Sequence, residues 1–260
     1  MIPIDLSGKV ALVLGVANKN SIAWAVASKL SQAGAKLVLT YQNERLGEMV
    51  MKLGQDLEVK DILFAQCDVS DEKQVTSLFS EIKNRHGKLD VLVHSLAYAS
   101  KDDLEGAYVD TSRDGFASAM DISAYSLISL VNHSQPLMEK EGGAVIAMTF
   151  LGSERIFPVY NIMGTAKAAL EHIIKNLASE LGEKNIRING ISAGPLNTLA
   201  ARGIPRFLEM LRNHREKAPI GRNITQEEVG DCALFLSSQL ATGITGEVIH
   251  VDGGYHIVGL

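Results

Sequence analysis

The chain has 260 residues, 46% of them hydrophobic, which is enough for one sizeable core, and a formal charge of −5 with no basic block. That balance argues against a nucleic-acid or anionic-membrane partner. Cys67 and Cys232 are the only cysteines. Two isolated thiols make neither a disulfide framework nor a metal cluster, so no metal site is expected.

Short runs rich in Val, Ile and Leu recur along the chain. They are Lys9 to Gly15, Ala35 to Tyr41, Ile62 to Val69, Val91 to Ser95, Ala144 to Thr149, Ile186 to Ala193 and Glu247 to Val251. Strands apolar on both faces are what a parallel sheet covered by helices requires. Between them lie helical patterns, with Ile22, Val26, Leu30 and Ala33 on one face of Ser21 to Ala33. Val75, Leu78, Phe79 and Ile82 do the same in Glu72 to His86. The alternation predicts an α/β fold: one doubly wound, seven-stranded parallel sheet, Rossmann-like, with no linker to divide it. Residues 196–219 break the rhythm after a strand end. With Pro205 and the helical spacing of Phe207, Met210 and Leu211, they read as a helical substrate-binding lid. The first residues, Met1 to Asp5, show no basic segment leading into an apolar one, and no apolar run is long enough for a transmembrane helix. The expected setting is cytoplasmic.

Candidate ligand-binding residues fall at strand ends. Gly15 closes the first strand and Ser21 and Ile22 open the next helix, so small residues and first-turn N–H groups can face a pyrophosphate. The turn is not G-x-G-x-x-G, and a strand–turn–helix with a Ser cap occurs in many proteins. Gln42 ends the second strand where an Asp or Glu often holds a ribose. Being neutral, it does not separate NADH from NADPH. Asp68 and Val69 end the third strand, where the carboxylate could take an adenine amine or cap a helix. Ser95 and Leu96 end the fourth and leave room for a ribose.

Tyr160 and Lys167 begin a long helical stretch, seven residues or about two turns apart, so they project from nearly the same face. A nearby ammonium should favour phenolate character and strengthen the Tyr O–H as a donor. The Lys can also hold a nicotinamide ribose. His94 reads as a core or near-site residue, Trp24 as packing, and Gly253-Gly254 as a close approach in a subunit contact.

These motifs resemble the short-chain dehydrogenase/reductases, most of which space Tyr and Lys four apart; here that position is Gly164. The seven-residue spacing resembles the divergent branch of type I enoyl-acyl carrier protein reductases. The similarity runs through GVANKNSIA (15–23), TYQNE (40–44), VHSLAYA (93–99), TFLGSERIFPVYNIMGTAKAALE (149–171), ISAGPLNTLAA (191–201) and GEVIHVDGGY (246–255). It implies NADH-dependent reduction of the trans-2 double bond of enoyl-acyl carrier protein thioesters, in the last step of fatty-acid elongation. Hydride would pass to the β-carbon while Tyr160 stabilises the enolate. It assigns Gly15, Ser21, Ile22, Gln42, Asp68, Val69, Leu96, Lys167 and Leu196, Asn197, Thr198, Leu199 and Ala200 to the cofactor. Ala99, Tyr160, Met163 and the lid go to the acyl substrate. It also implies a homotetramer in a bacterial cytoplasm. Many members carry a second Tyr where this chain has Phe150, so Phe150 is assigned to shaping the acyl pocket. Two other readings fit the fold: a carbonyl reductase, which a 3-ketoacyl thioester assay would reveal, and a non-catalytic nucleotide-binding regulator, in which Tyr160→Phe would change nothing.

Overall fold

The structure is a computed structural model that describes residues 4–158 and 160–259. Met1 to Pro3, part of the N-terminal segment discussed above, and Val159, within the longest motif, lie outside them. Seven strands form one parallel sheet: β1 Val10–Leu14, β2 Lys36–Tyr41, β3 Ile62–Gln66, β4 Val91–His94, β5 Gly143–Thr149, β6 Ile186–Ala193 and β7 Val248–Val251. Their order is β3-β2-β1-β4-β5-β6-β7. All seven strands read from the sequence are present, each within three residues of its expected ends. The helices are α1 Ile22–Gln32, α2 Glu44–Gly54, α3 Glu72–His86, α4 Lys101–Glu105, α5 Arg113–Met120, α6 Ser126–Met138, α7 Asn161–Leu181, α8 Phe207–Lys217 and α9 Gln226–Ser237.

The alternation of strand side chains divides the core into two layers. Leu12, Leu14 and Leu92 pack with Val75, Leu78 and Phe79 of α3, Leu127 and Leu130 of α6, and Leu170 and Ile174 of α7. Ala11, Val13, Val91 and Val93 pack the other way, with Val26 and Leu30 of α1, Val50 of α2 and Val229 and Ala233 of α9. Trp24 is partly buried against this second layer, as expected of a packing residue.

The strand order reverses direction between β1 and β4, and a crevice at such a switch point is where open parallel sheets bind ligands. Val13 pairs with Val93 and Leu14 with His94, so Gly15 and Ser95 leave the sheet side by side. Gly15 has φ +96°, and a β-carbon there would overlap the Ser95 carbonyl. Only glycine fits both the left-handed backbone and the contact. The Gly253-Gly254 pair, read above as a subunit contact, has a reason inside the chain. Both have positive φ, and β-carbons would lie 2.8 Å from Ile220 and 3.1 Å from Pro219.

The lid segment is helical only in its second half. A 3-10 turn at Ala201–Gly203 precedes α8, which buries Phe207 and His214. Pro205 and a left-handed Arg206 (φ 56°) separate the two.

Replacing Gly15 by Ala forces β1 and β4 apart at their ends. We expect a loss of stability on the order of 1–3 kcal/mol in urea unfolding. A variant as stable as the wild type would mean that the Gly15–Ser95 approach is not needed.

Candidate active site

A cavity of about 790 Å³ opens along the carboxyl edge of the sheet. Gly15, Ser21 and Ile22 line it at the β1–α1 turn, Gln42 after β2, Asp68 and Val69 after β3, and Ser95, Leu96 and Ala99 after β4. Phe150, Tyr160, Met163 and Lys167 line it from β5 and α7, and Leu196, Thr198, Leu199 and Ala200 from the lid segment. Of the residues assigned from sequence, only Asn197 lies outside the lining. Its side chain is exposed, and its Oδ1 accepts from Arg202 Nε at 3.1 Å.

The end of the cavity beside β1 to β3 is polar and shaped for a nucleotide. Ser21 caps α1, its hydroxyl accepting from Trp24 N–H and donating to the Asn18 carbonyl. The cap orders the helix N-terminus, whose free N–H groups favour an anion. The Gly15 cradle admits no side chain, so a pyrophosphate can approach the backbone there. Asp68 does not cap α3; Asp71 does, accepting from Lys73 N–H at 2.9 Å. Asp68 instead accepts from Gln42 Nε2 at 2.8 Å and from Ser70 Oγ at 2.7 Å. Burial pushes its carboxyl up, but the bonds from Ser70 and Gln42 outweigh it, and the net shift is downward. The Gln42–Asp68 pair spans the ends of β2 and β3 as a neutral donor with an ionised acceptor.

The other end holds Tyr160 and Lys167. Tyr160 immediately precedes α7 and Lys167 lies two turns in; both are buried, at 8% and 4% exposure. Gly164, four residues beyond Tyr160, faces the Gly152 carbonyl, which a β-carbon would approach to 2.7 Å. No side chain can stand at that spacing here. Lys167 Nζ donates to the Met148 carbonyl at 2.8 Å and the Leu96 carbonyl at 3.2 Å. Those acceptors lie in β5 and just beyond β4. Glu171, one turn on in α7, accepts from Thr149 Oγ1 at 2.6 Å. Burial lowers the Lys167 ammonium to about 8, against a smaller opposing pull from Glu171.

The expectation that Lys167 would draw Tyr160 toward a phenolate does not hold. Burial pushes the phenol above its ordinary value and no charge offsets it. Two of the three Lys167 N–H groups are spent on backbone carbonyls. Tyr160 is therefore a neutral O–H donor, and among the described residues that hydroxyl has no hydrogen-bond partner. Phe150 meets the Tyr160 ring edge-on, centroids 4.9 Å apart, and Phe157 at 4.7 Å, making an apolar wall beside the hydroxyl.

Sequence reasoning missed several lining residues. Thr40, Cys67 and Met148 are strand or strand-end positions indistinguishable from core by pattern. Ile122 comes from a helix with no ligand signal around it, and Leu104 reaches the cavity only through tertiary packing. His94 is a buried residue beside the site, as expected. Burial, and secondarily Lys167, lower its imidazole to about 3, so it is neutral.

The profile of the family described as enoyl-(acyl carrier protein) reductase matches residues 15–256. The enoyl-[acyl-carrier-protein] reductase [NADH] FabI of Bacillus cereus is 50% identical over 254 residues, covering 98% of this chain and 99% of that protein. A crystal structure of the Bacillus cereus enoyl-acyl carrier protein reductase with NADP+ and indole naphthyridinone superposes with a TM-score of 0.96 at 49% identity, covering 100% of both chains. The Anaplasma phagocytophilum enzyme, solved with NAD, gives a TM-score of 0.93 at 40% identity, covering 100% of this chain and 96% of that one.

The lowered Lys167 ammonium predicts a pH-dependent stability. Unfolded, the group titrates near its ordinary 10.5; folded, near about 8. Between those values the unfolded chain binds more protons, so this residue's contribution to the unfolding free energy rises with pH. Relative to Lys167→Met, the wild type without cofactor should gain roughly 3 kcal/mol between pH ~7 and pH ~10.5 in urea unfolding. A difference that stays constant with pH would show that the folded ammonium is unperturbed.

Proposed function

The chain belongs to the enoyl-(acyl carrier protein) reductase family, and from that membership we propose how its residues perform NADH-dependent reduction of the trans-2 double bond of enoyl-acyl carrier protein thioesters. The observation that carries the reading is Tyr160: a largely buried side chain in the cavity wall, its hydroxyl unpartnered among the described residues, seven residues from the buried Lys167 ammonium. When bound, the reduced nicotinamide supplies hydride to the substrate β-carbon.

The residues have distinct tasks in this reading. Charge builds on the thioester oxygen as the β-carbon is reduced, and Tyr160 O–H donates to that oxygen. A preorganised donor in a dry site is worth a few kcal/mol, more than the same bond in water. Because burial holds the phenol protonated, Tyr160 steadies the enolate by donating a hydrogen bond and keeps its proton; the α-carbon takes the proton that completes the reduction from solvent water at the open cavity. Lys167, which lines the cavity, has one N–H left after binding Leu96 and Met148, and that N–H is available to hold the nicotinamide ribose. Gly15, Ser21 and Ile22 receive the pyrophosphate at the start of α1. Asp68 and Gln42 hold the adenosine end, and Ser95, Leu96, Leu196, Thr198, Leu199 and Ala200 enclose the middle. Phe150 offers no hydrogen bond. With Ala99 and Met163 it forms the apolar wall of the acyl pocket, and Phe157 packs against Phe150. Residues 196–219 act as the lid.

The neutral Gln42 has no charge with which to reject a 2′-phosphate, and one relative was solved with NADP+. Initial rates with both cofactors measure the preference. Phe116, Tyr125 and Ile128 on α5, α6 and the turn between them are large exposed apolar side chains, at 44%, 54% and 38%. Exposed apolar side chains of this kind support burial in a homotetramer. Light scattering should give about four times the 28.0 kDa chain mass; a monomeric mass would exclude this assembly. We place the enzyme in the cytoplasm.

Tyr160→Phe tests the central role. It removes one hydroxyl and should lower kcat for a trans-2-enoyl thioester by roughly 10²–10³-fold, with NADH binding retained. Rates equal to the wild type's would remove Tyr160 from the chemistry. A wild type that reduces a 3-ketoacyl thioester and leaves the enoyl thioester untouched would favour a carbonyl reductase.

A further inference from the structure

The helix crossing beside the cavity carries an irregularity that the sheet architecture does not require. Between α5 and α6 the backbone makes a π turn over Asp121–Tyr125. Such turns insert one extra residue into a helix and occur frequently at functional sites. The hydrogen bonds show what this one accomplishes. Ser126 N–H reaches back five residues to the Asp121 carbonyl. The Ile122 carbonyl, which an α-helical register would give to that N–H, instead accepts from the Ser126 hydroxyl at 2.7 Å. With its proton committed, Ser126 Oγ accepts from His94 Nε2–H at 2.8 Å. Neutral His94 is then the Nε2–H tautomer, and its Nδ1 has no partner. The turn is thereby pinned to the last residue of β4.

Pinned in this way, the turn directs Ser123 into the loop that follows β4. Ser123 is fully buried. Its Oγ accepts from Tyr98 N–H at 3.0 Å, lies 3.2 Å from the Tyr98 carbonyl as a donor, and is 3.9 Å from Met163 Sδ. A single hydroxyl thus holds both backbone groups of one residue. That residue sits between Leu96, whose carbonyl binds Lys167, and Ala99, on the acyl side of the cavity. The loop has no regular structure of its own. Ser123 does not line the cavity, although its neighbour Ile122 does.

We propose that Ser123 is a positioning residue for the acyl thioester, fixing the Tyr98–Ala99 backbone and Met163 so that the acyl side of the cavity is formed before substrate arrives. The inference rests on the enoyl reductase reading. Without the hydroxyl, the loop must be ordered by the substrate itself, which weakens substrate binding. The nucleotide end, built on β1, β2 and β3, does not depend on this contact.

Ser123→Ala tests it, with Ser134→Ala as a matched control. Ser134 is also fully buried on the same helix, but it donates to the Val131 carbonyl, away from the cavity. For Ser123→Ala we expect KM for a trans-2-enoyl thioester to rise roughly tenfold, with kcat within about threefold and NADH affinity within about twofold of the wild type. Ser134→Ala should keep the wild-type KM. Should Ser123→Ala be insoluble, Ser123→Cys fills the same space with a weaker donor and acceptor and carries the same expectation. An unchanged KM would overturn the proposal. So would a loss of NADH affinity equal to the loss in KM, or an equal KM rise in Ser134→Ala, since either marks a general structural effect. A wild type that does not reduce the enoyl thioester would overturn the functional reading, and this inference with it.

Discussion

Lys167 places an ammonium group at the carboxyl end of the sheet with only 4% of its surface exposed. An unpaired charge in that position costs several kcal/mol, so it persists only where polar groups surround it. The groups available are the Leu96 and Met148 carbonyls. They are free because each lies where its strand runs out toward the cavity. The lysine therefore ties α7 to two neighbouring strands at the point where the ligand must bind. Lys167 itself lines the cavity, with one N–H still available there. Glu171 and Thr149 close the arrangement on the far side and hold the carboxylate close enough to moderate the loss of charge.

Two close approaches shape the cavity around that group. Gly15 against Ser95 brings β1 and β4 together at the topological switch, leaving no side chain between the backbone and a bound diphosphate. Gly164 against Gly152 brings α7 down onto the turn after β5, carrying Tyr160 with it. Burial follows from that packing, and burial in turn sets the chemistry of the tyrosine. A phenol surrounded by Phe150, Phe157 and Met163 keeps its proton. A neutral donor of this kind fits the proposed role of steadying an enolate, whose negative charge arises from hydride delivered elsewhere in the molecule.

The crossover between β4 and β5 supplies the third constraint. An α-helix running straight through residues 113–138 would present different side chains to the sheet. The π turn shifts the register once, and Ser126 and Ser123 then meet His94 and Tyr98. The same displacement brings Ile122 to the cavity wall. A helical irregularity pinned to the end of β4 thus reaches both the loop that anchors the lysine and the cavity wall.

Much of this was legible in the residues. The near-continuous apolar runs and the period-3.6 patterns indicated seven strands and the long helices, because strands buried on both faces must be apolar throughout. The strand-end positions Gly15, Gln42, Asp68 and Ser95 followed, since parallel connectivity puts all such ends on one edge. The seven-residue interval placed Lys167 two turns into α7 and Tyr160 at its start, and both line the cavity. Other features depend on partners distant in the chain. The protonation of Tyr160 was misjudged because charge proximity can be guessed from spacing, whereas burial cannot. The orientation of Asn197 away from the cavity, the capping of α3 by Asp71 in place of Asp68, and the reason for Gly253-Gly254 all rest on contacts that no local pattern encodes. So does the π turn: residues 113–138 carry an ordinary helical sequence, and only packing against His94 and Tyr98 decides where the register slips.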